Sequence, residues 1–512
     1  MGALTLLPVE LLDLILSYLP NRDIKSLRLT CLTLSRLAQL RLNRVFLSAN
    51  PLNIKVLREI ADHETFRHNV VEIIWDDARL IEHAPERVLE LLDGENWAQW
   101  GDDPNSYEGI PWWFEESYEE NVKNRRSQET FQEADPSIHV SWEFYQQLIQ
   151  QQKTVLESDD DVKAFRYGLQ RFPRLRRVTV TPIAHGVLDM PLYETPMIRS
   201  FPPKFNYPIS YTWPPYESNS QSSYTLQPWT QEKMKWRGFC VVIDELSKIS
   251  NNVSEFVIDT HTLHLTGLSC RVFDQPCEEY TNLVSLLPGF SHIDLTLSAD
   301  GQSSRAHRWS SFRSGLLKSA LSAASDLKHF SLQINVNHEK SRHFNMPADH
   351  PFDPEHFIPL DTILPKISEK WKKLQHFGLS GFLVRGDDLL SVLADLPASV
   401  RSVELSHLDF MDRDPNAYRD LLVNIRDKLG WGQRAEHERP VLTVHHKWND
   451  IYNMHYYCYD KAVNDFVYHG GLDPFRRRTM GDQGLYRLIN PFRAYYGSEA
   501  TSDTSMPLEI LE

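Results

Sequence analysis

Leu374-Gln375-His376-Phe377-Gly378-Leu379 decides the reading of this chain, because its spacing recurs along most of the sequence. The pattern is an apolar residue, two variable ones, an apolar residue, one variable one and an apolar residue. Val70-x-x-Ile73-x-Trp75 is the first instance, followed by Leu175-x-x-Val178-x-Val180 and Val253-x-x-Phe256-x-Ile258. Phe290-x-x-Ile293-x-Leu295, Leu327-x-x-Phe330-x-Leu332 and Val400-x-x-Val403-x-Leu405 continue it. Arg439-x-x-Leu442-x-Val444 is an eighth with its first apolar position lost. Alternation at the last two apolar positions places both side chains on one face of an extended strand.

Helical stretches stand between these strands. Residues 314–324, 387–396 and 418–429 have helical spacing, and 361–374 does so with a break at Pro365. Strands alternating with helices predict a mainly parallel sheet in an α/β fold. The units resemble the leucine-rich repeat, L-x-x-L-x-L, whose strands line a horseshoe. Successive central positions 256, 293, 330, 377 and 403 are 37, 37, 47 and 26 residues apart. Regular repeats of that family run about 20–29 residues, and the asparagine that usually follows is absent here. The resemblance therefore implies an irregular α/β solenoid. A compact α/β domain with the same strand patterns is the alternative.

The first fifty residues differ in character. Leu7-Pro8-Val9-Glu10 reads as a helix start, with proline at the entry and an acid in the first turn. Leu11, Leu12, Ile15, Leu16 and Leu19 follow at helical spacing, and Pro20 ends the helix. Asn21 or Asp23 can cap a second short helix carrying Ile24 and Leu27. A third runs from about Thr33, with Leu34, Leu37, Ala38 and Leu42 inward. Three helices of this size cannot bury so much leucine among themselves, so an outside apolar partner is expected.

The order Leu7-Pro8-x-Glu10-Leu11-Leu12-x-x-Ile15-Leu16-Ser17-Tyr18-Leu19-Pro20-x-x-Asp23-Ile24-x-x-Leu27-Arg28-Leu29-x-Cys31 resembles the F-box. The match covers about residues 4–48, and Leu34 stands where that family often has a tryptophan. The resemblance implies docking onto a Skp-type adaptor, and through it onto a cullin. Leu7, Pro8, Leu11, Leu12, Ile15, Leu16, Leu19, Pro20 and Leu27 would supply the apolar contact. Residues 1–48 hold six basic and three acidic residues on a chain of net charge −15, a contrast that steers toward an acidic partner. The alternative is a helical hairpin packed on its own chain.

Composition narrows the rest. With net charge −15 and no overall excess of Lys and Arg, nucleic-acid binding is not expected. Five scattered cysteines suit a reducing compartment, and no secretory signal or long apolar run is visible, so cytoplasm or nucleus and no membrane contact are expected. The domain plan is an F-box over 1–48, a first strand–helix unit over 49–92 and an acidic, aromatic insertion over 93–135. The repeat-like region spans 136–448 with a Pro/Ser-rich loop at 201–236. A cap over 449–496 and a disordered tail over 497–512 complete it.

Residues 93–120 contain nine acids, no Lys or Arg, and Trp97, Trp100, Trp112 and Trp113, which suits an anchored surface insertion or a recognition loop. His469-Gly470-Gly471 reads as a turn, and the layout from there to Arg478 is similar to the tail of fungal F-box proteins with divergent leucine-rich repeats. No nucleophile elbow, phosphate loop or zincin spacing occurs. Two His/Cys groups, His261, His264, Cys270 and Cys277, and His445, His446, His455 and Cys458, lack the tight ligand pairs of zinc motifs. Strand alternation also sends His445 and His446 to opposite faces. No cofactor, metal or catalytic residue is expected. The resemblance implies a substrate receptor of a Skp–cullin–F-box ubiquitin ligase, holding an unknown target protein. An F-box scaffold without ligase activity is the second reading, and a hydrolase or transferase with an unfamiliar site is the third.

Overall fold

The computed structural model describes residues 4, 7–19, 21–82, 109–128, 136–186, 188, 190–209, 213, 228–261, 266–299, 302, 309–335, 358–411, 416–447, 456–475 and 487–489. It opens with three short helices, α1 (Val9–Ser17), α2 (Asn21–Arg28) and α3 (Leu32–Leu37). A long parallel sheet follows. Its main path is β1 (Arg44–Leu47), β2 (Glu72–Asp76), β3 (Arg177–Thr181), β4 (Glu255–Ile258), β5 (His292–Ser298), β6 (His329–Ile334), β7 (His376–Ser380), β8 (Ser402–Ser406) and β9 (Val441–Thr443). Each strand lies beside the one before it in the chain, and the short strand Leu268–Ser269 pairs alongside β5. The mixed α/β class and the mostly parallel sheet expected from the sequence are both present.

The sequence pattern fixes the register. Val45, Ile73, Val178 and Phe256 stand in one row, and Ile293, Phe330, Phe377, Val403 and Leu442 extend it. All are buried, as are the apolar residues two positions on, from Leu47 and Trp75 to Leu405. A one-residue slip in any strand would turn this row away from the core, so burial pins the alignment. Helices close this face. They include α4 (Pro51–Asp62), α7 (Asp160–Arg171), α8 (Arg237–Lys248), α9 (Glu278–Leu286), α10 (Leu316–Ala323), α11 (Gly386–Ala394) and α12 (Ala417–Lys428). Their Leu57, Phe165, Val242, Leu283, Leu321, Leu393 and Leu422 join the strand rows in one continuous core.

Three segments can be placed against the domain plan. β1 falls inside the segment assigned to the F-box, so the helical unit ends near residue 40 rather than 48. Of the aromatic insertion, residues 109–128 are described, and several of them join a core. Helix α5 (Trp112–Gln128) packs on α6 (Ile138–Ser158), burying Trp113 and Phe114 with Tyr145 and Leu148. Trp113 is therefore an anchor rather than a recognition group, while Trp97 and Trp100 lie outside the described residues. Of the segment 201–236, residues 201–209, 213 and 228–236 are described; Trp213, Trp229 and Trp236 are buried, and Trp213 Nε1 donates to Asp77 at 2.7 Å.

The C-terminal part is a small antiparallel sheet of β10 (His445–Lys447), β11 (Tyr456–Cys458) and β12 (Arg487–Ile489), with α13 (Asp460–His469) beside it. Helix α13 ends at Gly470, whose φ of 70° is the left-handed cap that glycine accepts without strain. The turn expected at His469-Gly470-Gly471 is thus this helix end. The tail over 497–512 lies outside the described residues.

Candidate adaptor-docking surface and neighbouring polar clusters

Helices α1 to α3 enclose a core of their own. Leu12, Leu16, Ile24, Leu34 and Ala38 are buried together, with Leu19, Leu27 and Leu40 packed at the edge. No residue of the sheet belongs to this cluster. Polar contacts brace the unit. Asn21 Nδ2 donates to Arg41 O at 2.7 Å, and Arg41 N donates back to Asn21 Oδ1 at 2.9 Å. Arg41 also reaches the carbonyls of Ser17 and Leu19, which satisfies acceptors at the end of α1. Arg28 Nη1 donates to Ala38 O at 2.7 Å and holds the exit of α3.

The other side of α1 is open. Leu7, Leu11, Leu14, Ile15 and Tyr18 fall at helical spacing on one stripe and are all exposed, Leu11 at 49% and Tyr18 at 79%. Leu29 and Leu32 are exposed nearby in sequence, at the end of α2 and the start of α3. Of the contact residues expected from the sequence, Leu7, Pro8, Leu11 and Ile15 are on the surface. Leu19 and Leu27 are half-buried, and Pro20 lies outside the described residues. Leu12 and Leu16, at 1% and 5% exposure, fill the unit's own interior and lie behind the stripe. Sequence reasoning missed Leu14 and Tyr18, although their spacing of three and seven from Leu11 was there to find.

The sheet face opposite the helices carries a polar row, while Phe46 and Ile74 on the same face pack with Ile183, Leu192 and Tyr193 in a separate apolar cluster. Arg44, Glu72, Arg177, Glu255, His292, His329, His376 and Ser402 form the polar row. Opposite charges sit side by side in its first half, with Arg177 Nε 2.7 Å from Glu255 Oε2. The second half is a stack of imidazoles, His292 on His329 at 3.8 Å and His329 on His376 at 4.0 Å. Asp294 receives His292 Nε2 at 2.8 Å and His329 Nε2 at 2.9 Å. Burial opposes the Asp294 charge, but these two partners outweigh it and hold the carboxyl below its ordinary range. Burial, with His329 beside it, pushes His376 down to about 4.

Of the second His/Cys group, the structure brings His445 and Cys458 together, and the cysteines of the first serve in hydrogen bonds. Cys270 Sγ donates to Ala299 O at 3.5 Å and Cys277 Sγ caps α9 through Tyr280 N at 3.4 Å, both structural uses of a thiol. His264 and His455 lie outside the described residues. His445 and His446 do diverge, since the His446 ring lies near Tyr418 at 6.0 Å. His445, however, pairs across the hairpin with Cys458, and Asp460 completes a trio with them. Burial opposes a charge on His445, but its polar contacts with Asp460 and Cys458 and the nearby Glu404 carboxylate prevail and raise it to about 9.

No helix among the described residues is long and apolar enough to cross a membrane. No family model matches the chain, and no curated protein matches it.

Proposed function

We propose that this chain is the substrate-recognition subunit of a Skp–cullin–F-box ubiquitin ligase. The N-terminal helices act as the F-box, and the parallel sheet is an irregular leucine-rich-repeat-like solenoid. The observation that carries this reading is the exposed stripe Leu7, Leu11, Leu14, Ile15 and Tyr18, on a unit whose interior is already filled by Leu12, Leu16 and Ile24. Contiguous apolar surface of this kind marks an interaction site. Covering one of these half-exposed leucines or isoleucines contributes about 1 kcal/mol. The six basic and three acidic residues of segment 1–48, on a chain of −15, favour encounter with an acidic adaptor.

Support for the solenoid is the strand order, which follows the chain, and the repeated pattern standing in register from Val45 to Leu442. The polar row and the loops beyond the strands would face the target protein. The chain then supplies proximity, and transfer of ubiquitin belongs to other subunits. Recovery of the intact chain from cells, with and without proteasome inhibition, followed by mass spectrometry tests this. A Skp-type adaptor and a cullin should co-purify, with at least one further protein whose recovery rises on inhibition. An adaptor without any inhibition-sensitive protein would favour a scaffold that assembles no working ligase. Absence of both adaptor and cullin would refute the F-box reading.

A further inference from the structure

We propose that His445, Cys458 and Asp460 together form a binding site for a zinc-type divalent metal ion. A ring nitrogen, the Cys458 sulfur and a carboxylate oxygen all lie within 4.8 Å of one another. His445 Nε2 is 3.7 Å from Asp460 Oδ1, too far for a hydrogen bond. Ligand atoms about 2.0–2.3 Å from a zinc ion stand roughly 3.3–3.8 Å apart on a tetrahedron, so His445 and Asp460 are already at that spacing and Cys458, within 4.8 Å of both, needs to move in by at most about 1.5 Å.

The donors of His292, Asp294 and His329 are equally close together, but that cluster is already joined by its own polar contacts. His292 and His329 meet Asp294 at 2.8 and 2.9 Å, ordinary hydrogen-bond lengths. Their rings lie 4° from parallel, so the nitrogen lone pairs run side by side and do not converge on one ion. Nothing stacks the donors of the His445 trio in this way. They come from three elements, β10, β11 and the first turn of α13.

The backbone around the trio is fixed. His445 and Cys458 are directly opposed across the hairpin. His445 N donates to Ser406 Oγ at 3.2 Å, and His445 O accepts from His407 N at 2.7 Å. Asp460 Oδ1 accepts from Val444 N at 3.1 Å, the kind of outer contact that orients a ligating carboxylate. Cys458 is 8% exposed, while the His445 and Asp460 side chains are 15% and 40% exposed. Solvent therefore reaches the trio from the Asp460 side, where water can take the fourth position.

Donor type sets the ion. One sulfur, one imidazole and one carboxylate suit zinc and disfavour magnesium or calcium, which prefer oxygen alone. Thiolate and carboxylate together balance the two positive charges. The ion binds sulfur as the thiolate and the ring through a neutral nitrogen, and any proton displaced passes to solvent. The bound ion would clasp the β10–β11 hairpin to α13.

Cobalt(II) titration of the intact, chelator-treated protein tests the site. One equivalent should produce a sulfur-to-cobalt charge-transfer band together with the intense visible bands of a tetrahedral ion. Zinc should displace the cobalt and raise the melting temperature. Cys458→Ser should remove the charge-transfer band and weaken binding at least about 10-fold. His445→Asn should weaken binding similarly. No charge-transfer band in the wild-type protein, or the same band in Cys458→Ser, would overturn the proposal. The wild-type titration decides it even if a variant fails to fold.

Discussion

At the residue scale, Asp76 has the clearest consequence. It lies buried at the end of β2, where its Oδ1 accepts from Ala78 N at 3.0 Å. Burial is the largest influence on its carboxyl; the Ala78 bond opposes it and Asp77 adds to it, leaving a pKa raised from 3.8 to about 8. A carboxyl raised on folding binds more protons in the native than in the unfolded state. Stability therefore falls as pH rises from 3.8 to about 8. Asp76→Asn keeps the acceptor for Ala78 and removes the titration. Urea denaturation should find the variant more stable at neutral pH by about 1–3 kcal/mol, with a flatter pH profile. A variant less stable than wild type across that window would mean the carboxylate is charged and paired.

At the element scale, α8 meets β2 without room for another carbon. A Cβ on Gly238 would stand 2.6 Å from Trp75 Nε1 and 2.7 Å from Asp77 Cγ. Alanine gains about 1 kcal/mol of helix propensity over glycine, but here the neighbours are a buried ring and a buried carboxyl. The clash wins, and Gly238→Ala should lower stability by about 1–3 kcal/mol in chemical denaturation. A more stable variant would place α8 farther from the sheet. The strands themselves were legible because two apolar positions per strand recur in register. β1 was legible too: Leu42-Asn43-Arg44-Val45-Phe46-Leu47 carries the same pattern, hidden by its place directly after the helices. Helix α5 was not legible, since Trp112 and Trp113 sit in an acidic stretch whose partners on α6 are distant in sequence.

At the scale of the whole molecule, two apolar interiors behave differently. The sheet core runs unbroken from Val45 to Val467 and is closed by helices. The N-terminal core is small, separate and backed by an uncovered stripe. Sequence spacing located α1 but could not tell which leucines face inward, because Leu11, Ile15, Leu12 and Leu16 spread over about 140° of the helix surface, wider than one buried stripe needs. Packing by Ile24 and Leu34 breaks that tie. The same geometry determines the useful variant. Charges at Leu12 and Leu16 would unfold the unit, whereas Leu11→Asp with Ile15→Asp alters only exposed positions. Calorimetric titration with a purified Skp-type adaptor, on wild-type protein and on this double variant, is the most direct experiment. One-to-one binding by wild type, with at least about 100-fold weaker binding and an unchanged urea midpoint in the variant, is the expected result. Equal affinity of the two proteins, or no binding by either, would contradict the docking role of α1.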